Sequence, residues 1–241
     1  ISFMKRIYNK SNLVKGNTYH LEEKYYIHLI KVMRLNIGEQ IRLFNEKNGE
    51  WIAKIVDIKK NSLIAEVLEQ SLPARITEDI SLLFSPIKYL NSESIIRQST
   101  ELGIKSLYPT NFHRTVVSKI NLSKFEAYSV GAAQQSGRLS LPTIFQMENL
   151  SNQKQLLQSS NVLMFDENLK GISIEDVPKK NFSENILVII GPEGGFEDEE
   201  RKFIESNSKR FLNIKLGSQI LKADTAVIAA LSLTFHFFQR K

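Results

Sequence analysis

Ile190-Gly191-Pro192-Glu193-Gly194-Gly195-Phe196 follows the β-branched apolar run Ile186-Leu187-Val188-Ile189 and precedes Glu197-Asp198-Glu199-Glu200. The apolar run predicts a strand, and the acidic cluster predicts the first turn of a helix, where carboxylates oppose the positive end of the dipole. Glycines at 191, 194 and 195 permit positive φ and close approach to a ligand, while Pro192 fixes the turn between them. The expected unit is a strand, a rigid ligand-facing loop and a helix start. Four carboxylates at that helix start would repel a phosphate, so a cationic or zwitterionic ligand is expected there. An ordinary tight turn between strand and helix is the competing reading.

A second segment has the same grammar. The run from Phe211 to Leu216 predicts a strand, Gly217 a turn, and the residues that follow a helix running to about Phe238. Two strand-glycine-helix corners, at Gly191 and Gly217, suit adjacent parallel strands whose carboxyl-end loops share one crevice. A dinucleotide-type fold would show G-x-G spacing after an early strand, and none of the 11 glycines stands in that spacing.

The rest of the chain divides near Pro73. Before it lie short β-type runs at Met4 to Tyr8, Gln40 to Phe44, Trp51 to Ile58 and Ser62 to Leu68, with one helix expected at Glu22 to Arg34. That pattern predicts a small β-barrel over residues 1–72. Helical spacings of three and six would bring His28, Lys31 and Arg34 within reach of one another. After Pro73 strands and helices alternate, which predicts a parallel α/β domain over residues 73–241.

Composition narrows the function classes. At 241 residues, 42% hydrophobic and 24% charged, the chain suits a globular protein of two modest domains. It has no cysteine, which excludes disulfides, thiolate metal sites and a cysteine nucleophile. Four scattered histidines show no metal-ligand spacing, so no metal is expected. No apolar run reaches membrane-spanning length and no signal-peptide core opens the sequence, so a cytoplasmic protein is expected. The net charge of +6 suits a polyanionic partner; residues 1–72 carry 12 Lys and Arg against 8 Asp and Glu, the remainder 20 against 18. The N-terminal part is the denser in positive charge and is the candidate clamp for nucleic acid, with plain surface solvation as the alternative.

The two glycine corners, together with Ala133-Gln134-Gln135-Ser136-Gly137-Arg138 and Pro142, resemble the bacterial small-subunit (16S) ribosomal RNA uridine-N3 methyltransferases of the SPOUT superfamily. His28 with Val32-Met33-Arg34, Lys88, Glu101-Leu102-Gly103, Pro109 and Arg114 extend the resemblance over essentially the whole chain. Gln219 and Lys222 stand where that family usually has arginine, and Asp224 where it has glutamate. The resemblance implies a PUA-like N-terminal barrel, a SPOUT α/β domain with a C-terminal trefoil knot, S-adenosylmethionine (SAM) as cofactor, ribosomal RNA or the small subunit as substrate, and a homodimer. The apolar helix carrying Ala226, Ile228, Ala229, Ala230, Leu231, Leu233 and Phe235 also exceeds what one packing face needs, which suits dimerisation.

SAM is a sulfonium cation with an adenine and no phosphate, which agrees with the acidic helix start. Main-chain groups of Ile190, Gly191, Leu216, Ile220 and Leu221 are expected to bind it, with Phe165, Gly195 and Ala226 lining the pocket. The resemblance adds Gly194, Gly217, Lys222 and Thr225, and for RNA it adds Lys88 and Arg114 to the basic set His28, Lys31, Arg34 and Arg42. Transfer to uridine N3 requires loss of the imide proton and shielding of charge that spreads onto O2 and O4. Arg138 is the candidate for that shielding, and Asp224 or Glu193 the candidate base. Each has a plain alternative in helix capping or loop support. A ribose 2′-O-methyltransferase and a non-enzymatic ribosome-assembly factor remain competing functions at the level of sequence.

Overall fold

The structure, a computed structural model, describes residues 5–75, 79–87, 89–166, 171–182 and 184–238, without the side chains of 89–91. It forms two compact units, residues 1–76 with 133–141 and residues 77–132 with 142–241.

The first unit is built on β1 (Arg6–Tyr8), β2 (Thr18–Leu21), α1 (Glu23–Tyr26), β3 (Gln40–Asn45), β4 (Gly49–Lys59) and β5 (Ser62–Leu72). Its five-stranded sheet runs β1-β3-β4-β5-β2, with β1 parallel to β3 and the other pairs antiparallel. Alternation places Ile41 and Leu43, Ala53 and Ile55, and Leu63, Ala65 and Val67 in one fully buried core. Two features depart from the sequence reading. The strand at Thr18–Leu21 was not expected, and the single helix over Glu22 to Arg34 is instead a one-turn α-helix that widens into a π-helix over Ile27–Val32. Met33 N donates to His28 O, five residues back, and Arg34 then leaves the helix with φ of 61°. An α-helical spacing of three and six therefore does not apply to His28, Lys31 and Arg34; all three are exposed.

A buried carboxylate knits this unit together. Glu50, 1% exposed, accepts from Arg6 Nε at 2.5 Å, Arg42 Nη1 at 2.9 Å and Ser71 Oγ at 2.9 Å. The Arg6 guanidinium lies 4.2 Å from the Phe44 ring centroid and donates to the carbonyls of Ala133 (2.6 Å) and Arg138 (2.9 Å). One ion cluster thus ties β1, β3, β4 and β5 to residues 133–138.

The second unit contains β6 (Ile80–Phe84), α2 (Tyr89–Leu102), β7 (Ser106–Asn111), α3 (Leu122–Ser136, its last turn grouping with the first unit), β8 (Thr143–Ile144), β9 (Glu148–Asn149), α4 (Lys154–Ser159), β10 (Asn161–Phe165), β11 (Ile186–Ile190), α5 (Asp198–Asn207), β12 (Arg210–Ile214) and α6 (Ala223–Phe238). The sheet order is β12-β10-β11-β6-β7-β8, with β9 beside β7, and every pairing is parallel. The central strands β6, β10 and β11 read as continuous apolar runs because both faces are covered. Leu82, Phe84, Leu163, Val188 and Ile190 join the cluster that includes Ile95 and Ile96 of α2 and Val227, Leu231 and Phe235 of α6. Leu83, Val162, Met164, Leu187 and Ile189 meet Leu157 of α4, Ile204 of α5 and Phe196 on the other face.

The strands carrying the two glycine corners are not adjacent, contrary to expectation. β10 lies between β11 and β12, and Phe165 pairs with Ile190 on one side and Ile214 on the other. Ile190 in turn pairs with Phe84, so four strands end level. Any crevice beyond those ends has β10 in its floor as well as the two corners.

Glu50→Ala should remove the common partner of two arginines and lower stability by about 3 kcal/mol, the scale of breaking a buried ion pair on one side. Urea denaturation followed by circular dichroism measures this, and a loss below about 1 kcal/mol would show that the cluster is not a structural tie.

Candidate functional site

The four level strand ends release the chain at Ser85, Asp166, Gly191 and Lys215. Beyond three of them lies a cleft with about 610 Å³ of open space between Phe165, Ile190, Gly191, Glu193, Gly195, Leu216, Ile220, Leu221 and Ala226, all singled out from sequence. Asp166, Pro192, Gln219 and Ala223 complete its lining and were not among the expected cofactor residues. Among the described lining residues none is basic, and two, Asp166 and Glu193, are acidic.

The loop over 191–196 is shaped differently from its expected geometry. Of its glycines only Gly195 has positive φ (77°). Gly191 is required for space: a Cβ there would stand 2.7 Å from two carbons of the Phe196 ring, which is itself 2% exposed. Gly194 packs under Arg114, whose Cδ would lie 3.1 Å from an added Cβ. The second corner turns at Gly217, with φ of 142°.

The acidic helix start is largely consumed by internal bonds. Glu197 is the N-cap residue of α5, one residue before the helix proper, and its N–H donates to Glu200 Oε2 at 2.9 Å. Glu197 Oε1 accepts from Arg114 Nε at 2.8 Å, Glu200 Oε1 accepts from His113 N at 2.7 Å, and Asp198 pairs with Arg201 at 3.1 Å. Of the two acids that line the cleft, Asp166 has a fully buried side chain that takes Arg201 in a two-pronged ion pair at 2.6 and 3.2 Å. Its only sequence signal was an acid directly after the apolar run Val162 to Phe165.

The remaining expected residues are distributed as follows. Gly194, Gly217, Lys222 and Thr225 flank the cleft without lining it; Gly194 O accepts from Arg114, and Lys222 O accepts from Ala226 N at 2.8 Å. Asp224, half-buried in the first turn of α6, accepts from Thr225 N at 2.8 Å and does not line the cleft. Glu193 is exposed and lines both the cleft and a smaller cavity formed with Ser85, Pro86, Ile87, Arg114, Val116 and Pro192. Arg138 belongs to the first unit; its Nε donates to Ser140 Oγ at 3.1 Å, and burial lowers its pKa to about 10, which leaves it cationic at neutral pH. Arg42 is committed to Glu50, whereas Lys31 stands 5.6 Å from the Tyr26 ring centroid with its side chain exposed. Lys88 lies outside the described residues.

Gly191→Ala should drive Phe196 out of its seat and cost about 1–3 kcal/mol, the range for overpacking a filled site. Phe196→Leu in the same chain should recover part of that loss; a strictly additive double-mutant cycle would show that Gly191 is needed for another reason.

Comparison with known proteins places this geometry in a family. Residues 74–234 match the RNA methyltransferase domain and residues 26–68 the RNA methyltransferase PUA domain. The ribosomal RNA small subunit methyltransferase E of Rickettsia conorii is 30% identical over 230 residues, covering 94% of this chain and 93% of that protein. A Legionella pneumophila protein solved in complex with the bound cofactor SAM superposes with a TM-score of 0.85 at 28% identity, covering 97% of each chain. The fold is also that of a ribosomal RNA small subunit methyltransferase E from Neisseria gonorrhoeae bound to S-adenosyl methionine, with a TM-score of 0.87 at 24% identity and 98% of each chain covered. Two α/β glycine corners opening on one cleft, carried with a PUA domain over the length of these relatives, make this chain a member of the RNA methyltransferase family to which the small-subunit methyltransferases E belong.

Proposed function

We propose that this protein methylates N3 of a uridine in small-subunit ribosomal RNA, with SAM as the methyl donor. The observation that carries the reading is the cleft beyond β10, β11 and β12, which has apolar walls, two acids and, among the described residues, no basic one. That lining suits a cation bearing an uncharged purine and disfavours a nucleotide phosphate. Phe165, Ile190, Leu216, Ile220 and Leu221 would hold the adenine, and the acids would face the positively charged end. When bound, SAM supplies an electrophilic methyl group. The chain's own residues hold the acceptor, accept its proton and shield the charge left on the base.

Glu193 is the better placed of the two candidate bases, because it borders both the cleft and the adjoining cavity while Asp224 borders neither. Arg138 is assigned to the developing charge on uracil O2 and O4. Lys31 and Arg34, exposed on the first unit, are assigned to RNA phosphates, and residues 1–72 and 73–241 to RNA binding and methyl transfer respectively.

The closure of the first sheet into a barrel, the C-terminal trefoil knot and the homodimer belong to the same reading. Support for the knot comes from Gly171, where an added Cβ would lie 2.6 Å from the backbone at Ile214 and Lys215, so that the segment after residue 170 runs against the end of β12 without room for a side chain. Support for the dimer comes from α6, which buries Val227, Ala230, Leu231 and Phe235 yet leaves Leu233 36% exposed. A monomer in sedimentation at micromolar concentration would contradict the dimer.

Three variants test the assignment together. Gly195→Val, a β-branched residue forced to φ of 77°, should abolish SAM binding in calorimetry while the protein stays folded. Lys31→Ala with Arg34→Ala should weaken RNA binding and flatten its salt dependence, with methyl transfer near normal at saturating RNA. Arg138→Ala should leave both affinities intact and slow single-turnover methylation by ~10²-fold, the scale of losing one oxyanion donor. If saturating RNA restores its rate, Arg138 is a docking residue.

A further inference from the structure

A second and larger groove, with about 1450 Å³ of open space, lies in the same unit as the cleft. Residues 117 and 119–125 form one side of it, and Ile87, Ser92, Tyr128 and Gln146 complete it. Ile87 lines both this groove and the small cavity beside Arg114, and Pro192 and Glu193 line both that cavity and the cleft. Shared lining residues thus place the small cavity next to both the groove and the cleft. The groove carries Lys119 and Lys124 and, among the described lining residues, no acid, with Lys124 Nζ 5.8 Å from the centroid of the half-buried Tyr128 ring. Glu93, the nearby acid, bonds Arg97 at 3.2 Å. Aromatic faces beside lysines suit a base and its phosphate, since every base has a π-face and the ammonium groups neutralise the backbone.

We propose that this groove is an RNA subsite that holds the nucleotide next to the methylated uridine, its base against Tyr128 and its phosphate between Lys119 and Lys124. The proposal rests on the cleft being the methyl-donor site. It extends RNA recognition from the first unit into the catalytic one.

The test uses small ribosomal subunits, and the RNA extracted from them, from cells lacking this protein. Lys119→Ala with Lys124→Ala should lower the slope of log affinity against log salt by about 1.4 for the extracted RNA, about 0.7 for each lost single-strand contact. Tyr128→Leu should raise KM for subunits about tenfold with kcat within twofold of the parent, and Tyr128→Phe, which keeps the ring, should restore KM. SAM affinity by calorimetry should be unchanged in all three. Parent-like salt slopes and KM in a parent that methylates would overturn the groove assignment and leave the cleft reading intact. Variants that turn a dimer into a monomer would also overturn it, by showing that a second copy covers the groove. A parent that neither binds SAM nor transfers a methyl would instead fail the cleft reading, and with it the proposal.

Discussion

The level ending of four parallel strands is the constraint on which the site depends. Phe84, Ile190, Phe165 and Ile214 stand in one cross-strand row, and the backbone ladder holds them there. Because each parallel pair fixes the register of the next, the residues that follow, Ser85, Gly191, Asp166 and Lys215, emerge at the same height. The cleft is the space those exits leave open. Its inner apolar wall, Phe165 and Ile190, is made of strand ends already buried for stability, and the loop and helix after β12 supply the rest.

What closes this space is steric and ionic fit. Phe196 folds back against Gly191, which has no side chain to resist it, and the loop between them stays pressed on the strand ends. Arg114 fastens the outer side of the same loop through Gly194 O and Glu197. Arg201 reaches from α5 to Asp166 and ties the helix after the first corner to the end of β10. The carboxylates of 197–200 thus serve mostly to hold the loop, and the negative character of the cleft comes from Glu193 and the arginine-paired Asp166.

In the first unit the corresponding tie is the Glu50 cluster. Arg6 bridges a buried carboxylate and the carbonyls of residues 133–138, so the segment that carries Arg138 is anchored by its main chain. The guanidinium of Arg138 donates to Ser140 Oγ, and burial lowers its pKa to about 10. Arg42, which sequence charge alone marked for RNA, is held by the same carboxylate.

The sequence by itself determined most of the elements and most of the cleft lining. Apolar runs with glycine corners are local patterns, and local backbone preference is enough to make the strand, turn and helix at 186–207 and again at 210–238. Nothing local, however, sets which strand lies beside which. Corners close in sequence suggested neighbouring strands, whereas β10 is inserted between β11 and β12, and that insertion brings Asp166 into the site. The pairing of Asp166 with Arg201 spans 35 residues, and that of Arg6 with Ala133 spans 127. Separations of that length leave no periodicity for a sequence reading to detect. The π-helix at Ile27–Val32 is the reverse case, an element whose type was missed because its residues fit an ordinary α-helix equally well. Strand order and the partners of charged groups were decided by the tertiary structure, because both depend on contacts that exist only once the sheet has assembled.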